Sequence, residues 1–321
     1  MAHESACLLR TSSPSLAFEF GIEVFSLKNC ENMGKVITVM NMKGGVGKTI
    51  VTAHVGGHLA CYEHGGKRRN VLLIDYDPQF NLSQSYIPVA QYAAIETGRK
   101  TVLSVLLDDP TKLDPFRLYV SGNEAPPKLS EIEYVSYSQS AVMGKLAIVP
   151  STLDLMYVAL GEPETKTKPI EERFRKFIDE ARAAYDVVLI DCHPAGSIFT
   201  KTALRNSEHV IIPVVPEPYS LRGVGLMLTF MEAQRPGNSG PKAHILFNRV
   251  PISGISKEEQ TIRSNPHYKT KCLKETLKNR TAFGEPMEGG GFVWFSGKPW
   301  SAQARANLYE VTKEIVDKLQ L

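Results

Sequence analysis

Lys35-Val-Ile-Thr-Val-Met-Asn-Met-Lys-Gly-Gly-Val-Gly-Lys-Thr49 is the stretch that decides the fold. Lys35–Met40 is apolar and β-branched, the composition of a strand buried on both faces. Gly44, Gly45 and Gly47 break that pattern. Thr49–Glu63 then reads as a helix, with Ala53, Gly56, Gly57 and Ala60 small enough to pack closely on a sheet. In a strand, glycine-rich turn and helix, consecutive backbone N–H groups can converge on phosphate oxygens because no Cβ stands in the way. The helix start adds its positive dipole end. Gly44, Gly45, Val46, Gly47, Lys48, Thr49 and Ile50 are therefore the candidate phosphate cradle. Lys48 is spaced to reach the β- and γ-phosphates, and the Thr49 hydroxyl to ligate Mg2+.

Further buried strands are predicted over Asn70–Asp75, Lys145–Pro150, Tyr185–Asp191, His209–Val215 and His244–Asn248. Helical patterns lie between them, over Glu171–Ala184, Phe199–Asn206 and Leu221–Ala233. Continuous apolar strands alternating with helices predict an α/β fold: a doubly wound, mostly parallel sheet with helices on both faces. Ligands bind such sheets at the carboxyl ends of the strands, where the glycine-rich loop and the acids Asp75 and Asp191 fall. Residues 84–144 are too many for one crossover and read as an insertion on the same domain, helical over Thr101–Leu107 and loop over Ser121–Lys128. Asp75 and Asp77, two residues apart at a strand end, and Asp191 at another are the carboxylates that magnesium–nucleotide hydrolysis needs. Spacing alone does not rank Asp75 and Asp77 as metal support and water-orienting acid.

The ordinary phosphate-loop pattern requires glycine where Met42 stands; in compensation there is an additional lysine, Lys43. A loop with two lysines flanking its glycines resembles the deviant Walker A motif of the ParA/MinD family of nucleotide-switched dimerising ATPases, a P-loop NTPase fold. The resemblance extends over about residues 34–250, judged by motif order. Asp75-Tyr-Asp-Pro-Gln-Phe-Asn-Leu-Ser83 is similar to the family's D-x-D-P-Q-G-N segment, Ile148–Leu155 to its I-P-S-x-x-x-L strand end, Asp191-Cys-His-Pro194 to its D-C-P-P, and Pro213–Gly223 to its P-x-x-x-E-x-Y-x-L-x-G segment. It implies ATP and Mg2+ as cofactors. It also implies that Lys43 reaches a partner's nucleotide across a dimer, that Thr49, Asp75 and Asp191 serve the metal, and that Asp77 positions the attacking water. Asn248 matches the position that reads the adenine edge, with Pro216 packing on the base. Phe80 stands where the family has glycine, and His193 where it has proline.

Composition is that of an ordinary globular chain: 321 residues, 43% hydrophobic and 22% charged, with a net charge of only +3 that makes no case for nucleic acid. Five scattered cysteines include no C-x-x-C pair, which argues against zinc ribbons, redox motifs and the bridging thiolates of an iron-protein relative. Free thiols point to a reducing cytoplasm. No stretch is long and apolar enough to span a membrane, and the N-terminus lacks a signal-peptide pattern. Residues 1–32 read as an arm, partly disordered, or as a stretch upstream of a natural start at Met33; residues 33–321 read as one domain.

His54 and His58, four apart on one helix face with His64 nearby, meet metal spacing, but Val55 stands where a zincin needs glutamate, so they read as plain helix histidines. Leu308, Val311, Ile315 and Leu319 form a C-terminal apolar stripe whose polar face is not basic. It is expected to pack on the core, with no stable membrane anchor. If His267–Arg280 is helical, Lys271, Lys274 and Lys278 share a face; with Arg280 they are candidates for DNA phosphates, the alternative being a solvated face. Trp294 and Trp300, on a glycine-rich loop, are expected to dock on the core. Together these features lead to a ParA-like ATPase that forms a homodimer around ATP. The resemblance implies non-specific DNA, an adaptor of ParB type and DNA segregation or cargo positioning. The alternative is a ParA-like regulator acting through protein partners without DNA.

Overall fold

The chain runs β1 (Lys35–Val39), α1 (Lys48–Cys61), β2 (Val71–Tyr76), α2 (Asn81–Tyr86), α3 (Val89–Thr97), α4 (Val102–Leu106), α5 (Leu129–Ile132), β3 (Tyr134–Tyr137) and β4 (Leu146–Val149). It continues through α6 (Leu155–Ala159), α7 (Glu164–Ala184), β5 (Val187–Cys192), α8 (Ile198–Arg205), β6 (His209–Val214), α9 (Ser220–Ala233), β7 (Lys242–Phe247), α10 (Lys257–Ser264), a 3-10 helix over Thr281–Glu288 and α11 (Ser301–Leu319). This is a computed structural model, and it describes residues 33–109, 124–138, 140, 143–159, 164–193, 197–234, 240–288 and 292–321. The expected N-terminal arm, Pro194 and part of the glycine-rich loop before Phe292 lie outside these.

Seven strands form one sheet in the order β3-β4-β2-β5-β1-β6-β7. Every pairing is parallel except that of β3 with β4. All residues of β2, β5 and β6 are buried, which is why their sequences run continuously apolar rather than alternating. Successive side chains serve opposite faces. Val36, Leu72, Ile74, Val188 and Ile190 pack in one core with Phe174, Phe177, Phe199 and Met227 of α7, α8 and α9. Ile37, Val39, Leu73, Val187 and Leu189 pack in the other with Val51, Val55 and Leu59 of α1 and the stripe Leu308, Val311, Ile315 and Leu319 of α11. The sheet is thus doubly wound, and the C-terminal stripe is core. Helix α1 sits so close to the sheet that a Cβ on Gly56 would come within 2.5 Å of Leu73.

Three sequence expectations need correction. The segment 84–144 contributes to the sheet: Tyr134–Tyr137 is an antiparallel edge strand, too short and too exposed to show an apolar run. Trp294 is buried but Trp300 is 68% exposed, at a left-handed turn that begins α11. The basic segment is not a helix. Its backbone pairs with the open edge of β7 and the turn beyond it, through Leu273 N–H to Ile245 O (2.8 Å), Leu277 N–H to Phe247 O (2.9 Å) and Asn279 N–H to Val250 O (2.8 Å). An edge strand leaves N–H and C=O groups unpaired, and this demand outweighs the segment's helical spacing. Cys272, Leu273, Thr276 and Leu277 are consequently buried, whereas Lys274 is exposed and Lys271, Lys278 and Arg280 are half-buried.

His54, His58 and His64 are buried together beneath Trp294 and Tyr309. His58 Nδ1 and His64 Nε2 are hydrogen-bonded at 2.9 Å, and His54 Nδ1 donates to Ile50 O at 3.0 Å. Burial holds His54 neutral, its pKa lowered to about 4. Such a group contributes stability that is complete above its unfolded pKa and is lost as pH falls through about 6.5 toward 4. In His54→Leu that loss is absent, while every other titrating group is shared with the wild type. The stability advantage of wild type over variant, measured by urea unfolding, is therefore expected to shrink by on the order of 3 kcal/mol between pH 7 and pH 4.

Candidate functional site

Strand β1 ends beside β5 with Val39 opposite Asp191, and β2 ends beside β5 with Asp75 opposite the same residue. The glycine-rich loop leaves the sheet at this level. Asn41 anchors its entry, donating from Nδ2 to Pro213 O (2.8 Å) and accepting the Lys43 N–H on Oδ1 (2.9 Å). Gly47, the residue before α1, has φ 86°, and a Cβ there would lie 2.4 Å from Asn248 Nδ2, so only glycine is accommodated. The first intrahelical bond of α1 is Val51 N–H to Gly47 O (2.9 Å). The N–H groups of Lys48, Thr49 and Ile50 thus precede it, without helical partners, at the positive end of the helix.

A cavity of about 360 Å3 opens over this turn, lined by Gly44, Gly45, Gly47, Lys48, Thr49, Ile50, Asp77, Gln79, Asn81, His193 and Arg249. Added Cβ atoms on Gly44 and Gly45 would meet nothing within 4 Å, so the loop presents bare backbone to open space. Lys48 is 8% exposed. Beneath the cavity Asp75 and Asp191 are buried side by side. Asp75 Oδ2 accepts the Ser83 N–H (2.8 Å) and hydroxyl (2.7 Å). Asp191 Oδ1 accepts the Thr52 hydroxyl (3.4 Å), and the Thr49 side chain lies beside this carboxylate. Burial and, for Asp75, the neighbouring Asp191 raise both acids; Asp191 reaches about 7, and Asp75 is raised well above the usual carboxylate range.

Those features bear on the implied groups. Asp191 Oδ2 is buried and has no hydrogen-bond partner among the described residues. A buried unpaired carboxylate oxygen beside a threonine hydroxyl is an all-oxygen donor set suited to Mg2+. The bare loop and free helix N–H groups suit a polyphosphate. The residues present therefore fit the Mg2+ and ATP that the sequence implies.

The remaining predicted residues, Val46, Asn248, Lys43 and Pro216, are not among those that line the cavity. Val46 turns its side chain into the core (2% exposed), and its carbonyl accepts Asn248 Nδ2 at 2.8 Å. Asn248 Oδ1 accepts the Arg249 N–H at 2.9 Å, so this amide braces the loop and retains one donor and one lone pair. Lys43 lies at the rim, its ammonium 2.7 Å from Glu217 in the turn that follows half-buried Pro216. Lys271, Lys274, Lys278 and Arg280 are not among the cavity's lining residues; they lie on the segment along the edge of β7. Sequence reasoning missed Arg249, whose Nη1 donates to Gly45 O at 3.2 Å, and gave no place in the site to Gln79, Asn81 or His193. The only sequence signal for Arg249 is its adjacency to Asn248. Gln79 and Asn81 were visible in the D-x-D-P-Q-x-N pattern, though without a task.

The profile of the AAA domain family matches residues 34–239. The sporulation initiation inhibitor protein Soj of Bacillus subtilis is 31% identical over 196 residues, covering 61% of this chain and 64% of that protein, slightly under two thirds of its length. A plasmid partition protein from Borrelia burgdorferi B31, bound to AMPPNP, superposes with a TM-score of 0.64 at 20% identity, covering 89% of this chain and 99% of its own. The pNOB8 ParA bound to nonspecific DNA superposes with a TM-score of 0.58 at 21% identity, covering 90% and 99%. At 20% and 21% identity these superpositions show a shared fold. With its profile match spanning more than half its length and the two-lysine loop at the head of its first crossover, this chain belongs to the ParA-type family of partition ATPases.

Proposed function

We propose that this chain binds Mg-ATP in the cavity over Gly44–Ile50, dimerises around the nucleotide and acts as a switch in DNA segregation or cargo positioning. One observation carries the reading: Lys48, Thr49, Asp77 and the loop glycines line a single cavity, and Lys43 waits at its rim. Mg2+ bound beside Thr49 would supply charge neutralisation on the phosphate oxygens. Thr49 and Asp191 hold the metal side of the site, and Asp75 supports them from beneath, tied to Ser83. Asp77 is the acid left facing the cavity, so it orients the attacking water. Lys48 reaches the β- and γ-phosphates, and Asn248 and Pro216 receive the adenine. The Lys43–Glu217 pair is half-exposed on both sides (48% and 54%), and exposed pairs are worth about 0–1 kcal/mol. Exchanging Glu217 for a partner's phosphate is therefore cheap for Lys43. Hydrolysis is slow in the isolated chain and faster with an adaptor of ParB type. The protein works in the cytoplasm, on the nucleoid when DNA is bound.

A second reading, a regulator acting through protein partners without DNA, gains from the corrected basic segment. Lys271, Lys274 and Lys278 do not share a helix face, and the backbone beside them is held by Glu314, which accepts the Lys274 N–H (2.8 Å) and the Glu275 N–H (2.7 Å). The acid sits within the group that would meet phosphates and weakens its attraction for them. Titration of a generic duplex separates the two readings. The DNA reading expects tighter binding with ATP than with ADP and loss of binding in Lys274→Ala/Lys278→Ala. Absence of retention in every nucleotide state selects the protein-partner reading.

Two variants test the switch itself. Lys48→Ala removes a charge-assisted contact and is expected to weaken binding of a fluorescent ATP analogue about 10- to 100-fold. Asp77→Ala retains the cradle but not the water-orienting acid. Light scattering is expected to find it dimeric with Mg-ATP and monomeric with ADP; single chains with bound ATP would overturn the sandwich.

A further inference from the structure

Asp77 is useful only if its loop is held still, and the holding arrangement in this chain is unusual. Phe80, three residues on, has φ 45° and ψ 30°, the left-handed region where a bulky side chain is seldom found. Such a conformation persists only where the surroundings over-determine it. Here its ring lies flat on Tyr92 of α3, with centroids 5.3 Å apart and planes within 10°. The Tyr92 hydroxyl donates to Ser151 O (2.8 Å) at the end of β4. Ser151 in turn donates its hydroxyl to Asp77 O (2.7 Å), and its N–H to Ser83 Oγ (2.9 Å), the same hydroxyl that donates to Asp75. The loop Asp77–Phe80 is thus gripped at both ends by groups that meet at Ser151 and Tyr92.

Helix α3 has no fully buried residue. It is attached through Gln91 to Tyr134, Tyr92 to Ser151 and Glu96 to Thr152 (3.1 Å). Two of these three attachments end on the residues after β4, and Ser151 is the one that also holds Asp77. A glycine at position 80 would adopt this turn without steric cost and would have no ring to stack.

We propose that Phe80 is a positioning residue for ATP hydrolysis: its stack on Tyr92 fixes the loop that presents Asp77. The proposal rests on the assignment of Asp77 as the water-orienting acid. An aromatic pair of this kind stabilises its arrangement enough to change a rate about two- to tenfold.

The test is ATP turnover by the full chain at saturating Mg2+, with kcat and KM measured separately and ATP-analogue binding followed by fluorescence. Phe80→Gly keeps the turn and removes the ring; Tyr92→Ala removes the other half of the stack together with the hydrogen bond to Ser151 O. Each is expected to lower kcat about two- to tenfold with KM and analogue affinity unchanged. The double variant is expected to be no slower than the slower single one, since both remove the same contact. Phe80→Tyr, which retains a stacking ring, is expected to restore turnover. Wild-type kcat in Phe80→Gly, additive losses in the double variant, or KM rising in step with the fall in kcat would each overturn the proposal. A wild type that binds the analogue but shows no turnover would instead remove the hydrolysis assignment on which it stands.

Discussion

Three neighbouring parallel strands stop at one level, and the site follows from that alignment. Val39 of β1 and Asp75 of β2 both face Asp191 of β5 across the ladder. The loop from β1 therefore turns directly above two carboxylates, and α1 brings Lys48 and Thr49 down onto them. Placing two acids together away from water is costly unless hydrogen bonds or opposite charge compensate. Ser83 compensates Asp75 with two bonds, whereas Asp191 is left with one oxygen unmatched. The pair is a poor structural device and a good receptor for a hard cation. Its cost is sustained by the rigid sheet beneath, whose central strands are buried along their whole length.

The same rigidity made most of the architecture legible in the sequence. A strand covered on both faces must be apolar at every position, so β1, β2, β4, β5, β6 and β7 show as uninterrupted runs between helical patterns. The phosphate loop was legible because backbone approach to phosphate demands glycines at fixed places. The roles of Lys43, Asp75, Asp77 and Asn248 came from family resemblance, since neither spacing nor composition ranks them. What escaped was decided by neighbours distant in sequence. Tyr134–Tyr137 becomes a strand only because β4 offers an edge. The run from His267 to Arg280 carries leucines and lysines at helical spacing, but the unpaired edge of β7 takes its backbone instead. Trp294 and Trp300 are chemically alike, yet the first fills the space over His54 and His58 while the second marks a turn.

Asn248 shows how a residue with an implied ligand role also serves the fold. Its amide holds Val46 O and would abut any Cβ at Gly47, so it sets the shape of the phosphate loop before any base arrives. Arg249 adds a second brace to Gly45 O from the same turn. The end of β7 and the exit of β1 are therefore mechanically joined across β6. A change at Asn248 or Arg249 is therefore felt in the glycine-rich loop.

Backbone strain in the described residues has a similar geography. Six non-glycine residues have positive φ, and three of them, Phe80, Tyr219 and Arg249, lie just beyond the carboxyl ends of β2, β6 and β7. The loops of Phe80 and Arg249 contribute to the cavity lining, and the loop of Tyr219 carries the Glu217 that pairs with Lys43. Phe80 is held by Tyr92, Arg249 by Gly45, and Tyr219 introduces α9 two residues after that Glu217. Strained turns of this kind survive where several contacts agree on one conformation, and they shift readily when one contact is exchanged. A rigid sheet bearing three such turns at one end is the mechanical form a nucleotide switch requires. Under the proposed function, the sheet would fix where the phosphates go and these loops would be the parts that respond to the terminal one.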